Sequence, residues 1–221
     1  MRYKFIVSFA KNYFMLIRFA KFTSYLLHPV LIPTLLFAVL FFLTPCFIVW
    51  TSLLKLYLLG FIFLGTCCFP VSITWFLWRF RHIESLEMKE QNERRKPFLI
   101  TTIFYAAIAL LLSYGTFQGT LISFVMISIA LTVCLATFIN LYHKISIHVV
   151  GICGSLGILF ALQYYDYRYD LLVPILATIG LSGLVASSRL ALAAHTPLEI
   201  ATGSIVGFFG AFGIMTFAFA N

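Results

Sequence analysis

The chain has 221 residues, of which 62% are hydrophobic and 10% charged, with a formal net charge of +8. A water-soluble domain carries about 25% charged residues, so the composition excludes one and points to an all-α, polytopic membrane helix bundle. The positive charge is no nucleic-acid signature, because the cations gather in an N-terminal arm and one loop, where they suit anionic headgroups or an anionic substrate.

Residues 1–21 read as an amphipathic interfacial arm, with Phe5, Ile6, Phe9, Phe14, Ile17 and Phe19 set between Arg2, Lys4, Lys11, Arg18 and Lys21. The spread of those cations leaves no uninterrupted apolar core of the kind a cleavable signal peptide needs. Residues 22–221 read as a single transmembrane domain, because the hydrophobic runs follow one another without a long polar insert. The first run, Phe22 to Leu43, contains His28-Pro29 and Pro33, which predicts a kink or a broken first turn. His28 reads there as a structural residue satisfied by a carbonyl that the proline frees.

The second run goes from about Leu56 to Trp78, with Lys55 snorkelling at its start. The charged segment Arg79 to Pro97 follows. The third run is Phe98 to Gly115, the fourth Thr120 to Tyr142 and the fifth Ile147 to Gln163. After an aromatic loop at 164–170 come a sixth, Leu171 to Ser187, and a seventh, Glu199 to Ala220. Each is roughly 17–23 residues, the length that crosses a hydrocarbon core. The expectation is six to seven transmembrane helices plus the interfacial arm. Gly151, Gly154 and Gly157, and Gly203, Gly207 and Gly210, permit close helix packing. Cys46, Cys67, Cys68, Cys134 and Cys153 form no CxxC pair and read as small buried hydrophobes.

If all seven runs span, the arm, the 79–97 segment and the junctions at 143–147 and 188–198 share one face. Three ionisable clusters therefore converge. One is Ser188-Arg189 through His195 to Glu199, where i,i+4 helical spacing lets the carboxylate orient the imidazole. Another is Lys144-Ile145-Ser146-Ile147-His148, a hydroxyl, a cation and a histidine at a helix N-terminus, which favours an anion. The last is Lys89 to Pro97, whose cations can neutralise phosphate oxygens. A histidine fixed by a carboxylate beside a guanidinium suits attack on phosphorus.

These clusters resemble the three motifs of the type 2 phosphatidic acid phosphatase family, whose wider superfamily includes vanadium haloperoxidases and glucose-6-phosphatase. The third motif, Ser-Arg, five residues, His, three residues, Asp, is matched at Ser188-Arg189, His195 and Glu199, with Glu for Asp. The second, Pro-Ser-Gly-His, is matched at Ser146 and His148, with Ile145 for Pro and Ile147 for Gly. The first, Lys, six residues, Arg-Pro, is matched at Lys89 and Lys96-Pro97, with Lys for Arg; Arg94 or Arg95 can take that arginine's place. The chain is also similar to uncharacterised bacterial membrane proteins of this superfamily that carry an early His-Pro and a Glu-Arg-x-x-Pro stretch like Glu93 to Pro97. The resemblance covers roughly residues 79–210.

The resemblance implies that His195 attacks phosphorus and forms a phosphohistidine. Glu199 then holds the other ring nitrogen, and His148 protonates the leaving oxygen. Arg189, Ser146, Lys89, Arg94, Lys96 and Lys144 bind the phosphoryl oxygens, and neither metal nor cofactor is required. The implied substrate is a lipid phosphate or diphosphate, such as phosphatidic acid, phosphatidylglycerol phosphate, an isoprenyl diphosphate or phosphorylated lipid A. The implied location is the bacterial inner membrane. Counting cations puts the active face in the cytoplasm, whereas the family's sites usually face away from it.

The departures at 96, 145, 147 and 199 motivate an alternative, a catalytically silent relative that binds anionic lipid. Two further alternatives are vanadate-dependent oxidation in the same pocket and a metal site built from His143, His148 and His195.

Overall fold

In the computed structural model the described residues are 2–44, 50–85, 91–114, 117–166 and 170–220, with side chains from Phe14 onward. Among them the chain forms eight helices and no strand. They are α1 (Arg2–Leu26), α2 (Ile32–Phe42), α3 (Ser52–Arg79), α4 (Gln91–Ser113), α5 (Leu121–Asn140), α6 (Ile147–Tyr165), α7 (Leu172–Ala191) and α8 (Pro197–Ala220). Helices α3 to α8 are each long and apolar enough to cross a bilayer, which makes this an integral membrane protein with six candidate spans. Large apolar side chains such as Leu53, Leu111, Val173, Phe209 and Phe217 lie exposed on their outer faces, as a hydrocarbon solvent permits.

The run Phe22 to Leu43 is not one span. Helix α1 continues to Leu26, past the expected end of the arm, and the chain then turns through 27–31 around His28-Pro29 before α2 begins. Proline has no N–H and disfavours a helical residue before it, so the helix stops there. Helix α2 has only 11 residues and is too short to span alone. It is nonetheless well buried: Phe37, Leu40 and Phe41 pack with Leu58, Ile62, Met126, Leu159 and Leu162. Lys55 does not simply snorkel. Its Nζ donates to the Phe41 carbonyl at 2.8 Å, satisfying one of the carbonyls that the end of α2 leaves without a donor.

Helix α3 is continuous over 28 residues but contains a π turn at Leu64–Cys68. The sequence supplies the cause. Pro70 cannot donate to the carbonyl four residues back, and its ring would crowd it. The widened turn absorbs the mismatch, with the Phe69 N–H reaching the Leu64 carbonyl. Gly65 in the same turn lets α4 approach, because a Cβ there would overlap Ile108.

The most extensive helix contact joins α6 to α8. Lipid offers no hydrophobic drive for helix association, so small residues that let backbones meet must supply it. A Cβ at Gly207 would sit 2.5 Å from the Val150 carbonyl oxygen, and one at Gly157 would strike the Phe208 carbonyl. At the top of the same seam a Cβ at Gly203 would lie 3.0 Å from the Ser146 carbonyl oxygen. A buried cluster of Leu27, Ile32, Val149, Ile152, Val185 and Ile200 then closes the bundle beneath its charged end.

Candidate active site

The first turns of α4, α6 and α8, the last turn of α7 and the end of α1 meet at one end of the bundle. Helix α7 stops just after Arg189 in a Schellman arrangement: the Ala194 N–H donates to the Arg189 carbonyl at 3.1 Å and the Ala193 N–H to the Leu190 carbonyl at 2.9 Å. The residue in the left-handed position is Ala193, at φ +49°, where glycine is the usual occupant. The chain reverses within 192–196 and α8 starts at Pro197. Thr196 serves as its N-cap, its Oγ1 accepting from the Glu199 N–H at 3.3 Å.

That start places Glu199 in the first turn of α8, and its Oε2 reaches back to His195 Nδ1 at 2.6 Å. The i,i+4 pairing expected from sequence is therefore present, although His195 precedes the helix instead of lying on it. A carboxylate accepts only, so the bond assigns the proton to Nδ1 and leaves the lone pair on Nε2. His195 is 7% exposed. Burial first, and then the guanidinium groups of Arg94 and Arg189, lower its pKa from the ordinary 6.5 to about 4 against the opposing pull of Glu199. The ring is thus neutral at physiological pH.

Arg94 is buried at 7% exposed and lies within electrostatic reach of Glu199, Glu93, His195 and Arg189. Helix α4 begins at Gln91, so its buried face reads Arg94, Pro97, Phe98 and Tyr105. Lys96 falls on the exposed side, which makes Arg94, not Lys96, the cation of this segment at the site. Glu93 is engaged elsewhere, accepting from the Glu84 N–H at 3.0 Å. Lys89 lies outside the described residues, and Lys144 is half-buried in the turn between α5 and α6.

Arg189 donates from Nη1 to Ser24 Oγ at 3.3 Å, while its buried Nε has no partner among the described residues. Ser146 is fully buried at the N-terminus of α6. Its backbone N–H donates to the Glu199 carbonyl at 3.3 Å, and its Oγ has no partner among the described residues. His148, in the first turn of α6, is close enough to Arg189, His28 and His195 to feel their charge. Seven of the nine expected residues therefore belong to this end, with Lys96 turned away and Lys89 not described.

Two residues, Ser24 and Asn140, escaped the sequence reading, and a third, His28, was read there only as a structural residue. Ser24 holds Arg189. His28 sets its ring against His148 with centroids 5.3 Å apart at 76°. Asn140, the last residue of α5, is 1% exposed with neither side-chain polar atom partnered among the described residues, and its carbonyl accepts from Gln91 Nε2 at 2.6 Å. An asparagine closing an otherwise apolar run was the available signal for it. His143 reaches toward Thr202 Oγ1 at 3.5 Å. Among the described residues no group of three or more His, Cys, Asp and Glu side chains is placed to hold a metal ion.

A buried donor left without an acceptor costs about 1–3 kcal/mol, and here Arg189 Nε and Ser146 Oγ are two such groups beside a second buried arginine. The first turns of α6 and α8 add N-terminal dipole ends to the same place. The arrangement can receive an oxyanion and offer it a neutral imidazole nitrogen. No family model matches the chain, and no match is found among curated proteins or solved structures.

Proposed function

We propose that this protein is an integral-membrane phosphohydrolase that acts on a lipid phosphate or diphosphate through a phosphohistidine on His195. The observation that carries the reading is the 2.6 Å bond from His195 Nδ1 to Glu199 beside Arg94 and Arg189, both largely buried. That set combines an oriented nucleophile with fixed positive charge, as the motif resemblance also implies. In the first step Nε2 of His195 attacks phosphorus, the leaving oxygen takes a proton from His148, and Glu199 stabilises the imidazolium charge that develops. In the second step His148 takes a proton from water, whose oxygen displaces Nε2 and releases phosphate. Arg94, Arg189 and Ser146 bind the phosphoryl oxygens and stabilise their transition-state charge.

The test is phosphate release from detergent-solubilised phosphatidic acid and an isoprenyl diphosphate, in EDTA, comparing wild type with His195→Ala. Release by wild type that the variant lacks is expected; release that persists in His195→Ala removes the nucleophile assignment. A second reading, binding of anionic lipid without turnover, draws on the complete burial of Ser146. It predicts retention on anionic vesicles with no phosphate release from either substrate.

A further inference from the structure

We infer that the end of the N-terminal helix and the His28-Pro29 turn form a third wall of the site, in which His28 positions His148 and Ser24 positions Arg189. The inference rests on the phosphohydrolase reading for its kinetic test, and on the contacts themselves for its structural one. Neither residue belongs to the three motif clusters, and both come from the first hydrophobic run, which composition marks as a membrane span.

The local sequence explains the placement. Ala20, Thr23, Ser24 and Leu27 are all buried, a stripe with i, i+3, i+4, i+7 spacing. The flanking Phe19, Lys21, Phe22 and Tyr25 are exposed. The stripe lays the last turns of α1 against α7, which brings Ser24 Oγ to 3.3 Å from Arg189 Nη1. The α1 helix then ends, and its last carbonyls have no intrahelical donor. The His148 ring takes up one of them, hydrogen-bonding to the Ser24 backbone. Immediately afterwards Pro29 ends the helix, and the turn carries His28 onto His148, ring to ring at 5.3 Å and 76°.

His148 is thus held on two sides by one five-residue stretch, Ser24 to His28. An imidazole that must give a proton to a leaving oxygen and later take one from water needs a fixed ring plane. The edge-to-face contact fixes that plane, and the Ser24 carbonyl fixes which nitrogen bears the proton. The remaining nitrogen can then face the phosphoryl group, carrying the second proton of the imidazolium when His148 acts as the acid and a lone pair when it acts as the base. Arg189 is braced in the same way through Nη1, which leaves Nε for an oxyanion. Among the described residues His28 sets its ring against His148, so the part assigned to it is positioning and not chemistry.

The experiment is a double-mutant cycle on phosphate release with detergent-solubilised full-length chain. His28→Ala is expected to lower kcat about 10–100-fold with little change in KM, the effect of misplacing a catalytic group by around an ångström. In a His148→Ala background the same change should alter the residual rate less than about threefold, because a residue that acts through His148 loses its role when His148 is gone. His28→Phe keeps the ring and the volume and should keep kcat within about threefold of wild type. Equal losses in both backgrounds, or a Phe variant as impaired as Ala, overturn the inference. If wild type releases no phosphate from either lipid, the phosphohydrolase reading fails and a second readout decides this one. Imidazole nitrogen NMR of His148 should show a changed tautomer pattern in His28→Ala and none in the exposed control Phe19→Ala. An unchanged His148 signal in His28→Ala overturns the positioning role.

Discussion

The Glu199 carboxylate offers a prediction that runs against the motif it resembles, where the position holds aspartate. In this chain the carboxylate reaches His195 at 2.6 Å from the first turn of α8, whose start is fixed by Thr196 and Pro197. Glu199→Asp withdraws the oxygen by about one carbon–carbon bond, which takes the pair to roughly 4 Å and out of hydrogen-bond range. With an effective dielectric of about 20, the attraction between the carboxylate and a developing imidazolium weakens by about 2 kcal/mol. That corresponds to about a 30-fold fall in kcat. Glu199→Gln, which keeps the reach and removes the charge, should cost at least as much. The assay is phosphate release under saturating lipid phosphate, with each variant's thermal unfolding followed in parallel. An Asp variant as fast as wild type would refute the argument, since it would mean that the α8 start adjusts freely and the 2.6 Å contact is not a fixed element of the site.

Three further outcomes are expected. His195 has a pKa depressed to about 4 in the fold against 6.5 unfolded, so the unfolded chain binds its proton first as pH falls. The stability this residue contributes is intact above pH 6.5 and declines by about 3 kcal/mol by pH 4; the apparent Tm of wild type should fall more steeply over that range than that of His195→Asn, and equal slopes contradict the assignment. Gly207→Ala pushes a methyl to within 2.5 Å of the Val150 carbonyl oxygen and should destabilise by about 1–3 kcal/mol, whereas Gly213→Ala, with nothing within 4 Å, should leave the Tm unchanged. Ala193→Gly relieves a left-handed alanine at φ +49° and should raise stability by about 1 kcal/mol; an unchanged or lowered Tm shows that the turn is not strained.

Hydropathy located the six long helices because a bilayer demands a fixed length of apolar chain. Hydropathy alone read the first run as one span because α2 is apolar throughout, but it is too short to cross; the prolines, not the hydropathy, announced the break at His28-Pro29. The glycine seam was legible as spacing, since both helices carry glycines three or four residues apart. At the site, the pair His195–Glu199 followed from its i,i+4 interval. Motif spacing alone put Lys96 on a par with Arg94, and helix phase decided between them: once α4 starts at Gln91, Arg94 shares the buried face with Pro97 and Phe98, and Lys96 cannot. Ser24 and His28 were illegible for a different reason. Their partners lie more than a hundred residues away, and no local pattern announces that the end of α1 meets α7 or that the turn after it meets α6.

The two helices that meet at Gly157 and Gly207 run the same way and begin side by side, one delivering His148 and the other Glu199 with His195 just ahead of it. The gap between His148 and His195 is therefore gauged deep in the bundle, roughly 12–14 Å below them, by how nearly two bare backbones can touch. A methyl group added at that depth acts as a shim: it would pry the shafts apart and widen the jaws at the far end without altering any residue in them.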